Sequence, residues 1–129
     1  MPRQKNTTKS LVDANIILRY LLQDDDKMFQ ESKRIIDNGA EALPEVLAEV
    51  VYVLMKVYAV GRHEISEALR TMLSEVQVNN SAVIDKALEL FGENNLDFVD
   101  CILLAYNQVE NMSVQTFDKQ LKKKLSNVQ

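Results

Sequence analysis

Five carboxylates, Asp13, Glu49, Asp97, Asp100 and Asp118, come from four separate parts of the chain, and each sits beside or within a short apolar run. Asp13 follows Leu11-Val12, Glu49 lies inside Leu47 to Leu54, Asp97 and Asp100 open the run Val99 to Ala105, and Asp118 follows Val114 to Phe117. If the runs ending at Asp13 and Asp118 are parallel strands, their carboxyl ends share one rim, where open α/β sheets bind ligands. Helix starts can lie on the same rim. Grouped side-chain oxygens of this type suit Mg²⁺ or Mn²⁺, which keep several waters and take only a few carboxylates.

Each residue also has a structural reading. Aspartate is a favoured N-cap, so Asp13, Asp97 and Asp118 could each satisfy free backbone N–H groups at a helix start. Asp97-Phe98-Val99-Asp100 resembles a capping box, with Leu96 and Cys101 at staple positions, so the capping role is preferred for Asp97. Asp100 is different. It lies between Val99 and Cys101 in a run continuing Ile102-Leu103-Leu104-Ala105. A carboxylate flanked this way is costly unless exposed, paired or metal-bound. Glu49 shares a polar wedge with Glu45 and Lys56, and periodicity alone reads that wedge as solvent stripe. Asp24-Asp25-Asp26 reads as a solvated turn with a cap for the next helix, His63 as a surface residue, and Cys101 as a small core residue.

The elements that must position these groups are short strands alternating with longer helices. Apolar spacing predicts a strand at 10–13, a helix from Ala14 to about Gln23, and a helix at 26–38 stopped by Asn38-Gly39. A strand is expected over Ala42-Leu43-Pro44, then a helix from Glu45 to Val60 closed by Gly61. That helix is apolar except for its one wedge, so it is buried on most sides or packs against a partner chain. A helix at 63–75, a strand at Val76-Gln77-Val78 and a helix around Val83 to Phe91 follow, then a break at Asn94-Asn95. A helix over 97–110, a strand over Ser113 to Phe117 and a helical stretch from Asp118 to Leu125 complete the pattern. This alternation implies βαβ units: a parallel sheet with helices on both faces, in three layers.

Bulk properties narrow the choices. A chain of 129 residues suits one domain, read here as residues 10–129 behind a polar tail at 1–9. One cysteine rules out an internal disulfide and any cysteine-rich zinc site. No apolar run is longer than Val50 to Met55, and the amino terminus lacks a signal-peptide core, so a cytoplasmic setting is expected. A formal net charge of −4 disfavours nucleic-acid binding by bulk positive charge. It leaves open an enzyme that reaches phosphates through metal ions.

Taken together, Leu11-Val12-Asp13-Ala14-Asn15, Leu47-Ala48-Glu49-Val50-Val51-Tyr52-Val53-Leu54, Leu96-Asp97-Phe98-Val99-Asp100 and Thr116-Phe117-Asp118 resemble the PIN-domain family. Within it they look most like the VapC-type toxins of prokaryotic toxin–antitoxin pairs. The resemblance spans about residues 10 to 125 and implies a compact three-layer α/β/α fold with a short parallel sheet. It implies a metal-dependent endoribonuclease, using Mg²⁺ or Mn²⁺ and inhibited by a cognate antitoxin. Asp13, Glu49, Asp100 and Asp118 match the four acidic positions, and Asp97 matches a fifth that is often acidic. Asn15 and Thr116 match polar positions beside the metal. The resemblance also prefers Glu49 to Glu45, a choice the helical wheel leaves open. A cation there would make water a better nucleophile and stabilise charge on the phosphodiester. The expected substrate is single-stranded or looped RNA, and the apolar helix from Glu45 motivates a homodimer. Lys119, Lys122, Lys123 and Lys124, with Arg62, could guide the RNA backbone, though a solvated basic face explains them almost as well. Two features depart from the family pattern: the net acidity, and a short stretch after Leu125 that leaves little for a last edge strand.

Two other classes compete. Receiver-type signalling domains are also parallel α/β folds with an acidic Mg²⁺ pocket, but Asp13 is followed by Ala14-Asn15 rather than by a second acid. A catalytically silent PIN-like binding module is the other, and the presence of all four acidic positions argues against it.

Overall fold

The structure is a computed structural model that describes residues 9–126. All but the last residue of the polar tail expected at 1–9 therefore lies outside the described residues. The elements are β1 (Ser10–Leu11), α1 (Ala14–Leu22), α2 (Asp26–Asp37), β2 (Ala40–Ala42), α3 (Pro44–Lys56), α4 (Arg62–Met72), β3 (Val76–Val78), α5 (Ser81–Glu93), α6 (Phe98–Glu110) and α7 (Lys119–Lys124). The three strands form one parallel sheet in the order β1-β2-β3. Ala40 stands opposite Ser10 on one side and Val76 on the other, and Glu41 opposite Leu11 and Gln77. Each parallel connection passes through two helices, as a crossover requires, and the result is a three-layer α/β/α fold.

Local chemistry sets the boundaries. Asp13 and Asp25 cap α1 and α2 by accepting from the N–H groups of Ile16 and Met28. Gly39, at φ 102°, makes the turn from α2 into β2, a conformation that residues with a Cβ rarely adopt. The strand expected at 42–44 lies two residues earlier, because Pro44 opens α3 instead. Proline suits the first helical position, and it holds Leu43 extended at φ −78°, ψ 149°. The long helix expected to reach Val60 stops at Lys56. The chain reverses through Ala59 at φ 56°, the Val60 N–H donates back to Leu54 O at 2.9 Å, and Gly61 becomes the N-cap of α4.

Two strand expectations change more. The strand predicted over 10–13 pairs only at Ser10 and Leu11, and the one predicted over Ser113 to Phe117 does not form. Its two-residue alternation survives, with Val114 and Thr116 half-buried and Gln115 and Phe117 exposed. Alternation makes a strand only where a ladder partner stands alongside. Here the chain between α6 and α7 is tied back on itself.

The core is one cluster in which Ile17, Leu47, Val50, Ile65, Leu69, Val76, Leu88, Phe91 and Leu104 are fully buried. Helix α5 packs against both α4 and α6. At the first contact a Cβ on Gly92 would lie 2.8 Å from the Cβ of Ser66, which is itself buried, so only glycine lets α4 and α5 approach this closely. Phe91 and Phe98 meet edge to face at 6.1 Å. No described helix is long and apolar enough to cross a membrane.

Candidate functional site

The start of α7 lies close enough to the amino end of α6 for the charge of Asp118, with that of Asp97, to act on Asp100. Asp100 lies in the first turn of α6, half-buried. Burial pushes its carboxyl pKa up, and the charges of Asp118 and then Asp97 push it further. Among the described residues, neither a hydrogen bond nor a cation offsets them. Its place near the helix amino terminus favours the ionised form, so the local field is divided between an attractive dipole and two repelling neighbours.

Asp118 and Asp13 are built alike. Each stands at an N-cap and accepts with Oδ1, Asp118 from the Leu121 N–H at 2.8 Å and Asp13 from the Ile16 N–H at 3.0 Å. Capping engages one carboxylate oxygen, and the other stays open to solvent or to a cation. Thr116 fixes the approach to α7, because its Oγ1 accepts from the Asp118 N–H at 3.0 Å. Asp97 occupies the N-cap position of α6 but makes no side-chain cap hydrogen bond, which corrects the capping role preferred for it from sequence. Its carboxylate is therefore uncommitted beside Asp100. The staple beneath it is present: Leu96 and Cys101 are both buried, and the Cys101 thiol donates to Leu96 O at 3.8 Å.

Glu49 is exposed on the outer stripe of α3, in line with Glu45, Tyr52 and Lys56, and Asn15 is exposed in the first turn of α1. Neither Glu49 nor Asp13 is among the charges acting on Asp100. The described structure thus brings the charges of Asp97 and Asp118 to bear on Asp100, and not those of Asp13 and Glu49. Among the described residues, no three His, Cys, Asp or Glu side chains stand close enough to hold a metal ion between them. The donor set still suits a hard divalent cation in kind, since it is all carboxylate oxygen and Asp100 carries repulsion that a cation would relieve.

Two residues that sequence reasoning missed or misassigned hold this region in shape. Arg62, grouped from sequence with the RNA-guiding lysines, is half-buried under the α5–α6 connection. Its Nη1 donates to Phe91 O at 3.1 Å, Asn94 O at 2.7 Å and Leu96 O at 2.9 Å, and its guanidinium lies 4.2 Å from the centre of the Phe91 ring. It is committed to the turn that ends one residue before Asp97. Asn107, 2% exposed, ties both ends of the segment carrying Asp118. Its Nδ2 donates to Met112 O at 2.9 Å and Ser126 O at 3.2 Å, and its Oδ1 accepts from the Ser126 N–H at 2.9 Å. A polar residue three positions after Leu104, on the core stripe of α6, was the available sign of a buried polar partner.

A cleft of about 500 Å³ runs between α3 and the start of α6. Its wall includes Ala48, Val51, Tyr52, Phe98 and Val99, with Asp97 and Arg62 at its edge. On the other side of Asp118, Lys119, Lys122, Lys123 and Lys124 are all exposed on α7. His63 is an exposed partner of Glu67, and Cys101 is a core thiol whose pKa burial pushes up to about 12.

The family model described as PIN domain matches residues 10–124. No curated protein and no solved structure matches the chain.

Proposed function

The chain belongs to the PIN-domain family, whose members are generally metal-dependent nucleases, and from that premise we propose that it is a metal-dependent endoribonuclease. The observation that carries this reading is the group Asp97, Asp100 and Asp118. Burial and the charges of Asp118 and Asp97 act against the ionised Asp100, no hydrogen bond or cation among the described residues offsets them, and a run of exposed lysines follows Asp118. Such a group is costly in a fold that does not use it.

Asp100, Asp118 and Asp97 would hold Mg²⁺ or Mn²⁺, with Asp13 and Glu49 completing the set directly or through water. When bound, the cation neutralises charge building on the phosphodiester and makes water a better nucleophile. The chain's own residues do the rest. Thr116 and the α7 cap fix the direction of Asp118, Asn15 stands beside Asp13 to orient water or phosphate, and the α7 lysines attract the RNA backbone. No covalent enzyme intermediate is required.

The role as toxin of a VapC-like pair, and the cognate antitoxin it implies, belong to the same proposal and rest on the four acidic blocks. The cleft between α3 and α6, whose wall includes the exposed Tyr52 and Val99, supports a protein partner, either that antitoxin or a second copy of the chain. A monomeric mass in sedimentation at micromolar concentration removes the homodimer.

The test is cleavage of mixed labelled RNAs by the purified chain in Mn²⁺, in Mg²⁺ and in EDTA, beside Asp100→Asn. Metal-dependent cleavage that the variant loses supports the proposal. Wild-type protein that neither cuts RNA nor binds Mn²⁺ refutes it.

A further inference from the structure

Phe117 is 99% exposed, more than any other large apolar side chain described in the molecule. Val109, near the end of α6, and Met112, just after it, are 44% and 50% exposed. Scattered surface apolar residues are ordinary, but the next most exposed here, Leu11 at 67% and Val57 at 66%, keep about a third of their surface covered. A phenylalanine ring wholly in water forgoes roughly 1.5–3 kcal/mol of burial.

Its surroundings give that exposure a use. Phe117 precedes Asp118 directly, and the Thr116 Oγ1 to Asp118 N–H bond fixes the backbone on either side of it. It forms one wall of a cleft of about 290 Å³, lined by Val114, Gln115, Thr116, Phe117, Lys122 and Leu125. The stretch Asp118 to Leu125 holds four lysines against one aspartate, a local +3 on a chain of formal charge −4. An aromatic face, a lysine within the same cleft and a basic helix beside it are the parts of a single-strand nucleic-acid surface. The ring takes a base, and the ammonium groups take the phosphates.

We propose that Phe117 is a stacking platform for one unpaired base of the RNA, next to the phosphate facing Asp118. The proposal rests on the ribonuclease reading and deepens it by naming the residue that selects unpaired over paired RNA. A duplex has no free base face to offer, so the platform discriminates by what it cannot engage. Asn107 makes the platform usable, because it anchors both ends of the segment from Met112 to Ser126 and so keeps the ring in fixed relation to Asp118.

The test uses the full chain with a chelator present, so that no cleavage occurs. Anisotropy titrations compare a labelled oligoadenylate with a labelled RNA duplex for wild type, Phe117→Ala and Phe117→Trp. Phe117→Ala weakens oligoadenylate binding about 5- to 150-fold, leaves duplex binding unchanged, and melts with the wild type because the ring packs on nothing. Phe117→Trp restores the affinity, and its fluorescence is quenched by the oligomer. Equal affinity of wild type and Phe117→Ala for oligoadenylate overturns the platform while leaving the ribonuclease reading intact. Equal loss on both probes overturns it too, by assigning the effect to charge or fold. A change in sedimenting mass without a change in RNA affinity makes the ring a protein contact. Wild-type protein that binds neither probe removes the platform and counts against the ribonuclease reading itself.

Discussion

Replacing Arg62 by alanine separates two accounts of that residue, one as a guide for RNA and the other as a clamp within the fold. Three carbonyls lose their donor: Phe91 O, Asn94 O and Leu96 O. One nitrogen with two hydrogens cannot make three full bonds, so the set is worth about two charge-assisted bonds, or roughly 3–6 kcal/mol if fully dry. The guanidinium over Phe91 adds about 0.5–1 kcal/mol. Arg62 is only half-buried and lines an open cleft, so water reaches the vacated carbonyls and recovers part of this. A loss of about 2–4 kcal/mol remains after that discount. With an unfolding entropy of about 2.1 cal/mol/K per residue, each kcal/mol lowers the melting temperature of this chain by about 4 °C. Arg62→Ala therefore melts about 7–15 °C lower in calorimetry. Arg62→Lys, which keeps the charge and one multi-donor nitrogen but loses the planar stack, recovers part of the difference. An alanine variant that melts with the wild type and loses only RNA affinity would refute the clamp and restore the guide.

The remaining predictions concern the acidic group and the segment behind it. Asp100 has a folded pKa above its ordinary value, so its contribution to stability is fully present below the unfolded carboxyl pKa and is lost as pH rises through the folded one. Metal-free Asp100→Asn should consequently melt above metal-free wild type at neutral pH, and the gap should shrink below about pH 4. A variant that melts below wild type under both conditions contradicts the repulsion. Asn107→Ala leaves two carbonyls and one N–H without their partner near a solvent-reached edge, a loss of about 1–3 kcal/mol. Hydrogen exchange should speed up across residues 112–126 and stay unchanged in α4 and α5; uniform acceleration would show that Asn107 acts on the whole fold instead.

What was legible in the sequence was whatever is decided locally. The helices were readable because apolar spacing, Asp13 and Asp25 as caps, and Asn38-Gly39 as a stop act within a turn or two of themselves. Pro44 carried a local signal as well, and its preference for the first turn of a helix outranked the apolar run that suggested a strand. The segment Ser113 to Phe117 was misread for a different reason: it has the alternation of a strand, but pairing is decided by a neighbour far away in sequence. The same distance hid the clamps. Arg62 reaches carbonyls 29 to 34 residues away, and Asn107 reaches a residue 19 away, so no window of sequence contains both ends. Of the acidic residues, Asp100 stood out by its apolar flanks, and in the structure its carboxyl pKa is raised by burial and two like charges. Glu49 could not be chosen over Glu45 by physics, and both stand exposed on the same stripe of α3.

Capping and metal binding were posed as alternatives for these aspartates, and the geometry dissolves the opposition. A cap uses one carboxylate oxygen on the helix side, and Asp13 and Asp118 each use Oδ1 in that way. The cap thereby orients the carboxylate, and orientation is what a ligand needs before the cation arrives. Asp97 and Asp100, which have no such cap to hold them, depend on the backbone beneath them. That backbone is secured by Arg62 at Leu96 O, one residue before Asp97, while Asn107 secures the chain that delivers Asp118. Neither anchor pairs with an acidic side chain of the group in the described contacts. A cation in direct contact with Asp100 would neutralise it in the folded chain and compete with any metal for the same oxygens. Anchoring through backbone carbonyls secures the segments that carry these carboxylates and leaves their negative charge in place, as the proposed metal role requires.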